Sequence, residues 1–265
     1  MLLHGFMGDC RDFSAIVDRL RGFCCLVVDL PDHGQTQVVD LSDRGQTQVV
    51  DLSDRGQTQV APNHYQMDDV ARGLIELLNE LAIEQCWLAG YSMGGRIALY
   101  LASYFPQYFR GVILESASPG LRTQGERDRR IIQDLQLARQ LESGLPQFLR
   151  QWYANPLFES FTRQPNFSEA IARRLDNNPY KLARSLRSIG LGMQPSLWDL
   201  LPQVQPPLLL IVGALDLKFV AIAREIVTIC PRASLNIVKN TGHNVHFEQS
   251  AQFVKAIENF IDRLN

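Results

Sequence analysis

Short runs of apolar residues recur along this chain and alternate with stretches whose apolar positions fall three or four residues apart. The first kind suits strands buried on both faces, and the second suits helices with one face on a core. Strands are predicted over Cys24–Asp29, Cys86–Tyr91, Gly111–Glu115, Leu208–Gly213 and Leu235–Val238. Helices are predicted over Asp12–Leu20, Met67–Leu81, Met93–Tyr104, Val220–Ile229 and Phe247–Leu264. The alternation implies a mostly parallel sheet with helices on both faces.

Two stretches interrupt it. More than ninety residues separate the third predicted strand from the fourth, and from Leu121 to Trp198 the pattern is helical, punctuated by prolines. That is too long for a plain connection. It predicts a helical cap over 116–199, inserted into a core made of 1–115 and 200–265. Separately, the eleven residues Gly34–Arg44 recur unchanged at Gly45–Arg55, and a third copy begins at Gly56–Val60. Two perfect copies fit a tandem duplication within a loop over 34–60 better than a repeat fold, which needs more units and varied ends. Leu2-Leu3 reads as the remnant of a strand. Strands before it are expected to be missing, which would leave an unprotected sheet edge.

Composition narrows the class. With 265 residues, 46% of them hydrophobic, the chain can bury a full core, and a net charge of −2 argues against a nucleic-acid partner. No apolar run is long enough to span a bilayer, and the first residues lack the pattern of a signal peptide, so a cytoplasmic protein without a membrane partner is expected. The five cysteines have no metal-ligand spacing, and Cys24-Cys25 read as small core residues. Charge is uneven: residues 116–199 hold twelve Lys and Arg against eight Asp and Glu, and eleven of the twelve are arginines. Solubility needs no such bias, whereas bidentate carboxylate recognition does.

Gly90-Tyr91-Ser92-Met93-Gly94-Gly95 follows a predicted strand and precedes a predicted helix, the setting a nucleophile elbow requires. An acid and a histidine follow in the order Ser, Asp, His. Asp216 comes after the strand Leu208–Gly213, and His243 after Leu235–Val238, both at strand ends where ligands gather in α/β sheets. These three are the predicted catalytic residues of an α/β-hydrolase fold. His246 is the rival base; Gly242 favours His243 by marking a tight turn. An oxyanion hole needs two backbone N–H donors, expected from Met93 and from Phe6 in the turn His4-Gly5-Phe6, with His4 itself structural.

The segment Gly90–Tyr100, then Leu114–Leu121, Glu126-Arg127 and Arg130, resembles the MenH family, as do Gln151-Trp152-Tyr153, Arg174 with Asn177-Asn178, Asp216–Phe219 and Gly242–His246. Members of that family are 2-succinyl-6-hydroxy-2,4-cyclohexadiene-1-carboxylate synthases of menaquinone and phylloquinone biosynthesis. The resemblance implies a lyase that eliminates pyruvate from a small tricarboxylate. It also implies that Arg96, Arg130 and Arg174 bind carboxylates and that Tyr91 and Trp152 line the ring pocket; Arg129 competes with Arg130 for its role. No cofactor is expected, because this chemistry needs neither an electron carrier nor a Lewis acid. One departure is Pro31-Asp32-His33-Gly34, where the family usually has Gly in place of Asp32; a positive φ there would cost Asp32 some strain. A carboxylesterase or C–C hydrolase using the same residues, and a degenerate non-catalytic protein, are the alternatives.

Overall fold

The computed structural model describes residues 1–34, 48–51 and 65–265. In chain order its first elements are β1 (Leu2–Leu3), α1 (Ser14–Val17), β2 (Leu26–Asp29), β3 (Gln48–Asp51), α2 (Met67–Glu80), β4 (Cys86–Tyr91), α3 (Met93–Tyr104) and β5 (Phe109–Glu115). Five helices follow: α4 (Gln124–Ser143), α5 (Leu145–Tyr153), α6 (Glu159–Thr162), α7 (Phe167–Leu175) and α8 (Pro179–Ile189). The chain then returns to the sheet through β6 (Leu208–Gly213), α9 (Leu217–Ile229), β7 (Ala233–Val238), α10 (Val245–Glu248) and α11 (Ser250–Asp262).

The described strands form one parallel sheet in the order β3-β2-β1-β4-β5-β6-β7. The inner strands are mostly apolar because helices cover both faces of the sheet. Along β6, Leu208, Leu210 and Val212 join a core with α2, α3 and α9, while Leu209 and Ile211 join a second core with α1 and α11. The helices between β5 and β6 bury a separate cluster around Leu141, Phe148, Leu149 and Leu182. Their starts follow local chemistry: Thr123 and Glu126 form a reciprocal capping box on α4, and Asn178 caps α8 ahead of Pro179.

Several boundaries differ from the sequence reading. The first predicted helix is a 3-10 turn, Cys10–Phe13, running into the short α1. The last is split into α10 and α11 because Gln249 leaves the helical region at φ −143°, ψ 57°. Gln48–Asp51, within the second repeat copy, is not loop: it is β3, paired in parallel with β2 at the sheet edge. The rest of the repeat stretch, 35–47 and 52–60, lies outside the described residues. Cys25 is buried as expected of a core residue, but Cys24 is exposed. Among the described residues no helix is long and apolar enough to cross a membrane.

Candidate active site

Ser92 sits on the turn from β4 into α3, with φ 49° and ψ −103°. A non-glycine residue at positive φ is costly, and this one is held by its surroundings. Its N–H donates to the Glu115 carbonyl at 2.9 Å, and its carbonyl accepts from Arg96 N–H at 3.0 Å. The neighbouring glycines are required by contact: a Cβ on Gly90 would strike the Gly94 carbonyl, and one on Gly94 would strike the Leu3 carbonyl.

His243, on the loop after β7, points one ring nitrogen at this serine. Nε2 lies 3.2 Å from Ser92 Oγ, and Nδ1 lies 2.6 Å from Asp216 Oδ2. An ionised carboxylate only accepts, so Nδ1 carries the proton and Nε2 is left to accept from the serine hydroxyl. Asp216 is fixed in turn as the cap of α9, its Oδ1 accepting from Phe219 N–H at 3.2 Å. The loop beneath His243 is tied down by Glu248, which accepts from Gly242 N–H and from Ser160 Oγ, each at 3.0 Å. Burial pushes the Glu248 carboxyl above its usual range despite those bonds. His246 is engaged elsewhere: its Nδ1 is 2.7 Å from Glu115 Oε2, and its ring packs against Phe13 and Tyr91.

The opposite wall is the turn His4-Gly5-Phe6. His4 is structural there, with Nδ1 2.8 Å from the Gly5 carbonyl and Nε2 accepting from Leu30 N–H at 2.9 Å. Gly5 passes so close to the Tyr91 ring that a Cβ would meet it at 2.7 Å. Phe6 and Met93 both border the cavity above Ser92, and neither N–H donates to another group of the described chain. An oxyanion hole needs two such backbone donors.

That cavity, of about 160 Å³, is bordered by Ser92, His243, Phe6, Met93, Arg96, Arg130, Trp152 and Lys218. Arg96 Nη1 donates to the Ile189 carbonyl at 3.2 Å and to Gln194 Oε1 at 3.0 Å. Burial, with Arg130 nearby, lowers its pKa to about 10, so it remains cationic at neutral pH. Arg130 donates through Nε to Asp134 at 2.7 Å and, unlike Arg129, reaches the cavity. Trp152 stacks on Phe148 and leans against Phe6. A larger and mainly apolar cavity, about 550 Å³, opens at the other ends of the strands near Leu26, Cys86 and Arg110, and no Ser or His borders it.

Two expected contacts are not at this cavity. Arg174 is buried and donates to Asp12 Oδ2 at 2.6 Å, since a buried guanidinium takes the carboxylate within its reach. Tyr91 is buried against Gly5, His243 and His246. Conversely, Lys218 and the Gln194 support of Arg96 were not anticipated. Lys218 had a signal, its place two residues after Asp216; Gln194, uncharged and distant in sequence, had none. Asp32 does take a positive φ, 69°, and its carboxylate is paired with Arg184, with Nε at 2.8 Å, and with Tyr65 Oη at 3.0 Å. Among the described residues no cluster of His, Cys, Asp or Glu is arranged to hold a metal ion.

Comparison with known proteins gives a consistent picture. The model of the alpha/beta hydrolase fold family matches residues 1–250. A Bacillus subtilis (strain 168) protein, provisionally named 2-succinyl-6-hydroxy-2,4-cyclohexadiene-1-carboxylate synthase, is 35% identical over 98% of this chain and 88% of its own length. The synthase of that name from Serratia proteamaculans (strain 568) is 31% identical over 98% of this chain and 91% of its own. Among solved structures, MenH from S. aureus superposes with a TM-score of 0.82 at 29% identity, covering 99% of this chain and 92% of that one.

Proposed function

Because this chain belongs to the 2-succinyl-6-hydroxy-2,4-cyclohexadiene-1-carboxylate synthase (MenH) family of the α/β-hydrolase fold, we propose that it eliminates pyruvate from 2-succinyl-5-enolpyruvyl-6-hydroxy-3-cyclohexene-1-carboxylate. Its product would be the cyclohexadiene for which the family is named. The observation that carries the reading is the pairing, in one cavity, of the Ser92–His243–Asp216 chain with two arginines, Arg96 and Arg130. Hydrolysis of a neutral ester has no use for two guanidinium groups beside the nucleophile. A substrate with three carboxylates does.

In this reading Ser92 acts as a base rather than a nucleophile. His243, oriented by Asp216, takes the hydroxyl proton as Ser92 Oγ removes the proton from the ring carbon next to the succinyl carbonyl. The carbonyl becomes an enolate, whose oxygen is stabilised by the N–H groups of Phe6 and Met93. The electron pair returns through the ring double bond and breaks the bond to the enolpyruvyl oxygen. Enolpyruvate then takes up the proton held by His243 and tautomerises to pyruvate, which returns the site to its starting state and closes the proton count. Arg96 and Arg130 hold carboxylates and Trp152 packs on the ring.

The test is pyruvate release from the enolpyruvyl intermediate, generated in situ, alongside hydrolysis of simple p-nitrophenyl esters. Release of pyruvate with little ester turnover supports the lyase. Ester turnover without pyruvate release would replace it with a hydrolase.

A further inference from the structure

Arg96 differs from the other arginines around the cavity and beneath it in having no carboxylate partner. Arg130 is paired with Asp134, and Arg174 with Asp12. The Arg96 guanidinium instead donates Nη1 to two neutral oxygens, the Ile189 carbonyl and Gln194 Oε1. Its Nε and Nη2 have no protein partner among the described residues, yet they are not sealed from the cavity. Asp134 is the acid near enough to act on Arg96 electrostatically. Its oxygens are already engaged by Arg130 Nε at 2.7 Å and Gly192 N–H at 3.0 Å.

Gln194 is fully buried, and its amide is held at both ends. Oε1 faces Arg96, and Nε2 donates to the Ser118 carbonyl at 3.5 Å, on the strand-end segment that also borders the cavity. Gly120, at φ 93°, lies against the same amide, where a Cβ would come within 3.1 Å of Nε2. An acceptor buried and packed in this way orients the guanidinium while contributing no negative charge. A glutamate of the same shape would anchor Arg96 more strongly and would neutralise it.

We propose that Gln194 is the positioning residue that holds Arg96 beside Ser92 with its charge uncompensated, so that the charge is spent on a substrate carboxylate. This rests on the reading of the cavity as a carboxylate site. Gln194 therefore acts through Arg96 and sets specificity for anionic over neutral ligands.

The experiment compares wild type, Gln194→Glu, Gln194→Met, Arg96→Met and the double variant Gln194→Met/Arg96→Met. Gln194→Glu is expected to fold, with some loss of melting temperature because the Ser118 carbonyl loses its donor, and to raise KM for pyruvate release by roughly 10- to 100-fold, the scale of one charge-assisted hydrogen bond. kcat should fall much less. Gln194→Met should raise KM in the single variant but add little once Arg96 is already methionine. Thermal protection by citrate, a tricarboxylate probe, at matched ionic strength gives a readout that needs no turnover: it should be present in wild type and lost in Gln194→Glu. Unchanged KM and unchanged citrate protection in a folded Gln194→Glu would overturn the proposal, as would full additivity in the double variant. An inactive wild type that citrate still protects would refute the lyase reading alone.

Discussion

Arg174 on α7 donates a 2.6 Å hydrogen bond to Asp12, 162 residues earlier, in the 3-10 turn that follows the His4-Gly5-Phe6 wall of the cavity. Asn177 reinforces the link through Nδ2 to the Met7 carbonyl at 3.1 Å. Both ends of the ion pair are buried, and Asp12 stays below the usual carboxylate range because Arg174 overrides the burial that would raise it. The pair fastens the inserted helices onto the loop that carries Phe6.

Removing one partner of a buried pair strands the other charge, which typically costs about 3–5 kcal/mol. Arg173, 3.4 Å from the same carboxylate, takes up part of the loss in this case. Arg174→Ala is expected to lower unfolding free energy by about 3 kcal/mol in urea titrations. A loss below about 1 kcal/mol would mean that the pair does not fasten the two parts.

His243 and His246 stand three residues apart, but only the first faces Ser92. His243→Gln should therefore abolish pyruvate release in a protein that still folds. His246→Gln should leave kcat within about threefold of wild type while lowering the melting temperature, because Glu115 loses a buried partner. The reverse pattern would exchange their roles.

His33 provides a pH test. Its ring is buried against His4 and Phe6, and burial, with His4 nearby, pushes its pKa down to about 3. The unfolded chain titrates this histidine near 6.5, as model peptides do. Between those values the unfolded state binds one more proton, so stability rises with pH and is lost as pH falls below about 6.5. The slope from this residue is about 1.4 kcal/mol per pH unit. In His33→Gln the stability–pH curve between pH 6 and 4 should be shallower than in wild type by about that slope. Parallel curves would show that His33 does not enter the folded state neutral.

The duplicated segment gives a further expectation. Excising Gly34–Arg55 removes the Gln48–Asp51 strand and brings Gly56–Val60, identical in sequence to Gly34–Val38, directly after His33. The melting temperature should hold or rise. A fall of more than about 5 °C, near 1 kcal/mol or more for a chain of this size, would mean that the extra copy is integral.

What could be read from sequence was whatever local pattern decides. Ser92 was legible because its glycines, the strand before it and the helix after it all lie within a few residues. Asp216 and His243 were legible because strand ends converge in this topology. Partnership across the chain was not legible: nothing near Arg174 announces that Asp12 will claim it, and nothing near Gln194 announces Arg96. The strand Gln48–Asp51 was hidden by the repeat itself, since identical copies carry the same short apolar pair at more than one place. Gln249 broke the final helix although the apolar period continues across it.

The most direct measurement is the rate of pyruvate release by Ser92→Ala beside wild type, with circular dichroism to establish that both are folded. Alanine removes the hydroxyl proposed to receive the substrate proton but leaves the arginines and the backbone donors in place. A loss of about a thousandfold or more in kcat, with KM nearly unchanged, is expected if Ser92 is the base. Retention of kcat within about tenfold would contradict it and move the proton transfer to another group in the cavity.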